Sequence, residues 1–183
     1  MQNDHFEVMS KRLRIQHIVM ITVFTLLMIT GGLLLFNESP LSQFLIFSEF
    51  AFNLRGLIHR LSALLLIGLC AYHAFYVIFT KEGRQYFRDM LPGIKDFTDF
   101  FHYIKYSLGF SPERPRFDRF NYIQKFEYGA VMWGSLIMIL TGFILWFENI
   151  SLAIFPKWIL DVATTVHGFE SILAFLTIII WHF

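Results

Sequence analysis

Four long apolar runs alternate with polar stretches along this chain, and each run is long enough to cross a bilayer core, which takes ~20 apolar residues in a helix. They cover roughly residues 16–36, 56–79, 127–147 and 162–183. The second run is unusual in chemistry: no charged residue stands between Leu61 and Phe79, yet His59 and His73 lie fourteen positions apart at its two ends. Fourteen helical steps return to within about 40° of the starting direction and climb about 21 Å. Two imidazoles therefore share one face, one near each membrane surface. The fourth run repeats the arrangement with His167 and His182, fifteen apart. An ionisable group inside a span is a functional hypothesis by default, because the apolar medium makes it expensive to hold there.

The connections are just as patterned. Lys11, Arg12 and Arg14 precede the first span, and Lys81, Arg84, Arg88, Lys95, Lys105, Arg114, Arg116, Arg119 and Lys125 fall between the second and third. The other two connections hold only Lys157, with Arg55 and Arg60 at the outer mouth of span two. By the positive-inside rule both termini and the 80–126 loop are expected in the cytoplasm. Within that loop DFTDFFHYIKYSLGF puts Phe97, Phe100, Phe101, Ile104 and Leu108 on one helical face, the pattern of an interfacial helix or of a docking helix, ended by SPERPR. The outer segment LSQFLIFSEFAF is expected to lie against the membrane surface.

Composition narrows the class. With 56% hydrophobic and 19% aromatic residues, 183 residues cannot hide their apolar surface in a soluble domain. The expectation is one all-α, integral membrane four-helix bundle, multi-pass, without a nucleic-acid partner. The first run is too long for a signal-peptide core and lacks a cleavage site, so it reads as a retained helix. The chain stops at Trp181-His182-Phe183 without the basic flank of an inward-going helix, so a further C-terminal tail is expected, contributing to the inner side. The single cysteine, Cys70, excludes a disulfide framework, an iron–sulfur ligand set and covalent haem attachment.

A weak internal repeat ties these features together. TGGLLLFNES closes span one and TGFILWFENIS closes span three, each followed by an outer loop and a two-histidine span. Aligning Thr30-Gly31 with Thr141-Gly142 brings His59 within three positions of His167, and His73 within two of His182. Facing helices of a bundle can supply one imidazole to each side of a haem. His59 with His167 would hold an outer b haem and His73 with His182 an inner one. Gly31, Gly32, Gly68, Ala71, Gly129, Ala130 and Gly134 would give a macrocycle room, although small residues also serve plain helix contacts. Arg55 and Arg60 suit the outer propionates, and Arg12, Arg14 or Lys125 the inner ones. His17, at the inner end of span one, competes with His73 for the inner haem, lines a quinone pocket, or binds a third haem. Glu170, one turn beyond His167 near the outer face, is the one carboxylate that would line these spans; it suits orienting a ligand or carrying a proton, and a plain interfacial Glu is the competing reading. Histidines sharing one bare ion would have to lie a few ångströms apart, which the fourteen-residue spacing opposes. A histidine-based metal transporter or haem-free anchor is therefore the competing class. A stand-alone b-type cytochrome exchanging electrons between quinone and a small soluble molecule is another.

At this point a family resemblance enters. RIQHIVM, with its arginine three before His17, followed by the Thr-Gly ending of span one, resembles the membrane cytochrome b subunits that anchor respiratory formate dehydrogenases and nickel–iron hydrogenases. RFNYIQK, Arg119 to Lys125, is similar to the stretch before span three of the formate dehydrogenase gamma subunits, and His59, His167 and the region of His182 match ligand positions there. The resemblance implies a di-haem subunit of the bacterial inner membrane in a hetero-oligomeric complex, rather than a complete enzyme. It would carry electrons between a periplasmic iron–sulfur or multihaem cytochrome subunit and menaquinone or ubiquinone. It also implies an inner haem on His17 and His182, with a quinone site beside it where His17, Asn121, Gln124 and Lys125 are pocket candidates. For Asn121 to Lys125, helix capping and membrane anchoring is the competing reading. The extra His73 and the fifteen-residue spacing depart from that family and look instead like the cytochrome b of quinol–cytochrome reductases. The pairing preferred on sequence is His73 with His182.

Overall fold

The computed structural model describes residues 9–113 and 115–182, with side chains as far as Ile180. Every regular element among the described residues is an α-helix: α1 (Lys11–Leu35), α2 (Pro40–Leu45), α3 (Glu49–Phe79), α4 (Lys81–Met90), α5 (Ile94–Ser107), α6 (Tyr122–Trp146), α7 (Glu148–Ile154) and α8 (Lys157–His182). Helices α1, α3, α6 and α8 are each long and apolar enough to cross a membrane. No more than 17% of the apolar window of any of them is buried within the protein, so most of that surface needs an apolar solvent. This is the pattern of a multi-pass membrane protein.

The helices start earlier than the apolar runs do, because polar side chains cap them outside the hydrophobic stretch. Ser48 Oγ accepts the Ala51 N–H at 3.1 Å, and Glu49 then fills the first turn of α3, where the helix dipole favours an acid. Before α6, the Asn121 side chain accepts the Gln124 N–H and the Gln124 side chain accepts the Asn121 N–H, both at 2.9 Å. This reciprocal pair is a capping box. Thr80 separates α3 from α4: its backbone is extended, and its hydroxyl accepts the Gly83 N–H at 2.9 Å. A side chain at Gly83 would collide with the Tyr76 carbonyl, so this corner requires glycine. At the other end of the loop α5 stops at Gly109 (φ 77°), with Phe110 N–H on the Lys105 carbonyl and Gly109 N–H on that of Tyr106. That is a Schellman ending, placed ahead of the two prolines expected to break the helix.

The chain divides into two compact units. One comprises the start of the chain to Arg14 together with Tyr72–Met132. Its core is Leu13, Tyr76, Tyr86, Met90 and Phe120, with Met9, Val77 and Tyr128 packed against it. Burial pushes the Tyr86 phenol up to about 12. Helix α5 is fastened to the first turn of α6 by a buried ion pair, Lys125 Nζ donating to both carboxylate oxygens of Asp96 at 2.9 Å. Burial alone would raise the Asp96 carboxyl, but the Gly93 N–H at 2.6 Å and the Lys125 ammonium hold it below its ordinary value. Lys95 pairs with Asp118, and Arg119 with Asp89 at 3.0 Å. The apolar face of α5 (Phe97, Phe100, Phe101, Ile104) and the following Leu108 stay exposed, as expected of an interfacial helix.

The second unit comprises Ile15–Ala71 and the chain from Trp133 onward. Val23, Leu66, Leu160 and Ala163 are its buried apolar residues, with Thr30, Ser62, Ser135 and Ser151 buried among them. In its outer segments Leu41, Phe44, Phe47 and Phe50 are exposed, in keeping with a membrane-surface position.

Candidate functional site

The second unit brings His59 and His167 together. Their ring centres are 6.4 Å apart, with planes inclined at 63°. Each ring is held by a helix other than its own. Thr30 Oγ1 of α1 lies 2.9 Å from His59 Nδ1, and Thr141 Oγ1 of α6 lies 2.8 Å from His167 Nδ1. The glycine after each threonine lies against the ring: a Cβ on Gly31 would sit 3.4 Å from His59 Cε1, and one on Gly142 would sit 3.4 Å from His167 Cε1, ordinary van der Waals contact in both cases. The repeated Thr-Gly dipeptide therefore builds the same half-site twice. Sequence reasoning took that repeat as a marker of equivalent spans and missed that the threonines touch the histidines.

The separation can be tested against a metal ion between the rings. An imidazole nitrogen sits about 2.0–2.1 Å from a bound first-row metal and the ring centre about 1.1 Å further, so two axial imidazoles place their centres about 6.3 Å apart. The observed 6.4 Å leaves room for such an ion and is equally the separation of an edge-to-face ring contact. With both Nδ1 atoms engaged by threonine, Nε2 is the ring nitrogen left to each histidine. No three His, Cys, Asp or Glu side chains among the described residues are grouped so as to hold a metal ion by themselves. A pair of axial ligands to a macrocyclic metal needs only two.

Cations stand beside this pair. Arg55 donates from Nη1 to the Thr30 carbonyl at 2.9 Å and lies 5.0 Å from the Phe52 ring centre, while its Nε is buried with no hydrogen-bond partner. Arg60 stacks on Trp146 at 5.6 Å and lines a cavity of about 380 Å³ with residues 145–150, Glu148 and Asn149 among them. A spare buried guanidinium donor suits a carboxylate such as a haem propionate. On α8, one turn past His167, Glu170 lies against α6 where Gly134 leaves room: a Cβ there would come within 2.5 Å of its Oε1.

The remaining candidates have other surroundings. His73 lies in the first unit, its Nε2 2.9 Å from Tyr128 Oη. His17 is half-buried on α1. The His182 side chain lies outside the described residues, and so do His5 and Arg114. Asn121 and Gln124 bond each other across the start of α6, and Lys125 is paired with Asp96. Arg12 and Arg14 are exposed on the first turns of α1, and His102 meets Ser111 at 3.2 Å outside the spans. Cys70 adjoins Ser135.

No family model, curated protein or solved structure matches this chain.

Proposed function

We propose that this chain is the membrane electron-transfer subunit of a quinone-linked oxidoreductase, carrying b haems between its spans. The observation that carries the reading is the 6.4 Å separation of the His59 and His167 rings, each with Nδ1 tied to a threonine. His59 and His167 would hold the outer haem, and Arg55 and Arg60 would meet its propionates. Bound there, the iron would supply one-electron redox chemistry. The protein fixes the two imidazoles before the cofactor arrives, excludes water with apolar helices, and neutralises the propionates with guanidinium groups.

A second haem would be held by His182. Its partner would be His73, the pairing preferred on sequence, or His17, as the family resemblance implies; His73 Nε2 lies 2.9 Å from Tyr128 Oη. The Lys/Arg distribution supports an orientation with the 80–126 loop in the cytoplasm, so that in a bacterial inner membrane the outer pair would face the periplasm. Electrons would then pass between a periplasmic redox subunit and membrane quinone at the inner side. At that side His17, Asn121, Gln124 and Lys125 would be the quinone-pocket candidates, with helix capping and ion pairing the competing role of the last three.

A reduced-minus-oxidised spectrum of the purified chain tests the proposal. A b-type α-band that weakens by about half in His59→Ala is the expected result. Absence of the band from wild-type protein, or its full retention in both His59→Ala and His167→Ala, would refute it.

A further inference from the structure

We infer that Thr30 and Thr141 are positioning residues that fix the tautomer of His59 and His167, leaving the lone pair of each Nε2 free for a metal. The inference rests on the haem reading above and concerns which atoms make that reading possible. A threonine hydroxyl has one proton to give. Thr30 Oγ1 lies 2.6 Å from the Leu26 carbonyl oxygen, and Thr141 Oγ1 lies 2.7 Å from that of Ile137. A carbonyl carries no proton, so at this range the hydroxyl hydrogen must lie between the two oxygens. The threonine oxygen then faces the imidazole with lone pairs only. Its contacts to His59 Nδ1 at 2.9 Å and His167 Nδ1 at 2.8 Å are hydrogen bonds only if the proton sits on Nδ1. A neutral imidazole protonated on Nδ1 has its lone pair on Nε2.

Both half-sites reach this state by the same chain of donors: imidazole N–H to threonine oxygen, threonine O–H to the carbonyl four residues back. By donating to the carbonyl, the hydroxyl gains negative character on its oxygen and becomes a better acceptor for the ring N–H. Such outer partners orient a ligating histidine and raise its basicity. On the α1 side the Thr30 carbonyl also accepts from Arg55, so the brace of His59 is itself anchored.

The test uses the full-length chain in lipid nanodiscs, with valine in place of each threonine to keep shape and remove the hydroxyl, and serine to restore it. Nitrogen-15 NMR of histidine-labelled apo protein reads the tautomer without any cofactor. His59 and His167 should appear protonated on Nδ1, and Thr30→Val and Thr141→Val should each release one ring to mixed tautomers. Haemin titration of the same samples should show affinity at the outer site falling about 10–100-fold in the valine variants and staying near wild type in the serine variants. His59→Ala identifies the outer-site signal. If wild-type protein takes up no haemin, the haem reading falls and the positioning role with it. If it takes up haemin and the valine variants bind equally tightly with unchanged tautomers, the positioning role alone is overturned.

Discussion

Asp96→Asn should loosen helix α5 from α6. The change keeps the size of the side chain and its ability to accept the Gly93 N–H, but removes the charge facing Lys125. That lysine and Asp96 have only 9% and 11% of their side-chain surface exposed, and Nζ lies 2.9 Å from both carboxylate oxygens. Removing one member of a buried pair leaves the other uncompensated and costs about 3–5 kcal/mol. The other ion pair on α5, Lys95 with Asp118, is well exposed and too weakly coupled through solvent to substitute. At 1.4 kcal/mol per tenfold, the loss amounts to at least about two orders of magnitude in local opening. Hydrogen–deuterium exchange of the α5 amides reads that opening directly. Asp96→Asn/Lys125→Met should recover most of the protection, because no buried charge is then left alone. The pH dependence has a definite sign. The Asp96 carboxyl is held below its ordinary value, so its contribution is present above the unfolded pKa of about 4 and is lost as pH falls through the lower folded value. Exchange in Asp96→Asn within about threefold of wild type would refute the reasoning, since that is the size of effect a solvent-exposed pair gives.

Other outcomes follow from the same geometry. Gly83→Ala sets a methyl against the Tyr76 carbonyl and should destabilise the α3–α4 corner by about 1–3 kcal/mol, measured as increased proteolysis between the two helices. Tyr86, raised to about 12, should stay protonated well above the ordinary phenol value of about 10. Its contribution to stability is present below about pH 10 and lost as pH rises through 12, and difference absorbance at 295 nm of wild type against Tyr86→Phe checks this. Phe97→Asp with Phe101→Asp should release α5 from the bilayer surface, seen as lost lipid quenching of a fluorophore placed on its apolar face. Arg55→Leu should weaken outer haem binding more than Lys157→Leu, because only Arg55 has a buried unpartnered donor beside the histidine pair. Equal effects in a haemin titration would count against the propionate assignment.

Much of the fold could be read from the chain. Four uninterrupted apolar runs have few alternatives to four long helices, and the spacing of Phe97, Phe101 and Ile104 marks an amphipathic helix at any register. Helix starts were less visible, because Ser48 and Asn121 cap α3 and α6 beyond the ends of the apolar runs. At the site, His59 and His167 were singled out by chemistry and matched through the repeat. The braces at Thr30 and Thr141 were not, since threonine in an apolar helix commonly bonds only its own backbone and sequence does not distinguish the case where it also meets a ring. Asn121 and Gln124 illustrate the reverse. Their three-residue spacing is both a capping signature and a ligand-like polar patch, and the structure shows the capping hydrogen bonds. His73 is a similar case, because no spacing rule reveals that Tyr128, on another helix, reaches its Nε2.

The doubled Thr-Gly arrangement has a consequence for assembly. The imidazole of α3 is steadied by α1, and that of α8 by α6, so each helical hairpin prepares its own ring without borrowing from the other. Docking of the two hairpins is then what turns a pair of half-grips into a clamp. An iron porphyrin arriving between them would act as the rivet that closes the joint.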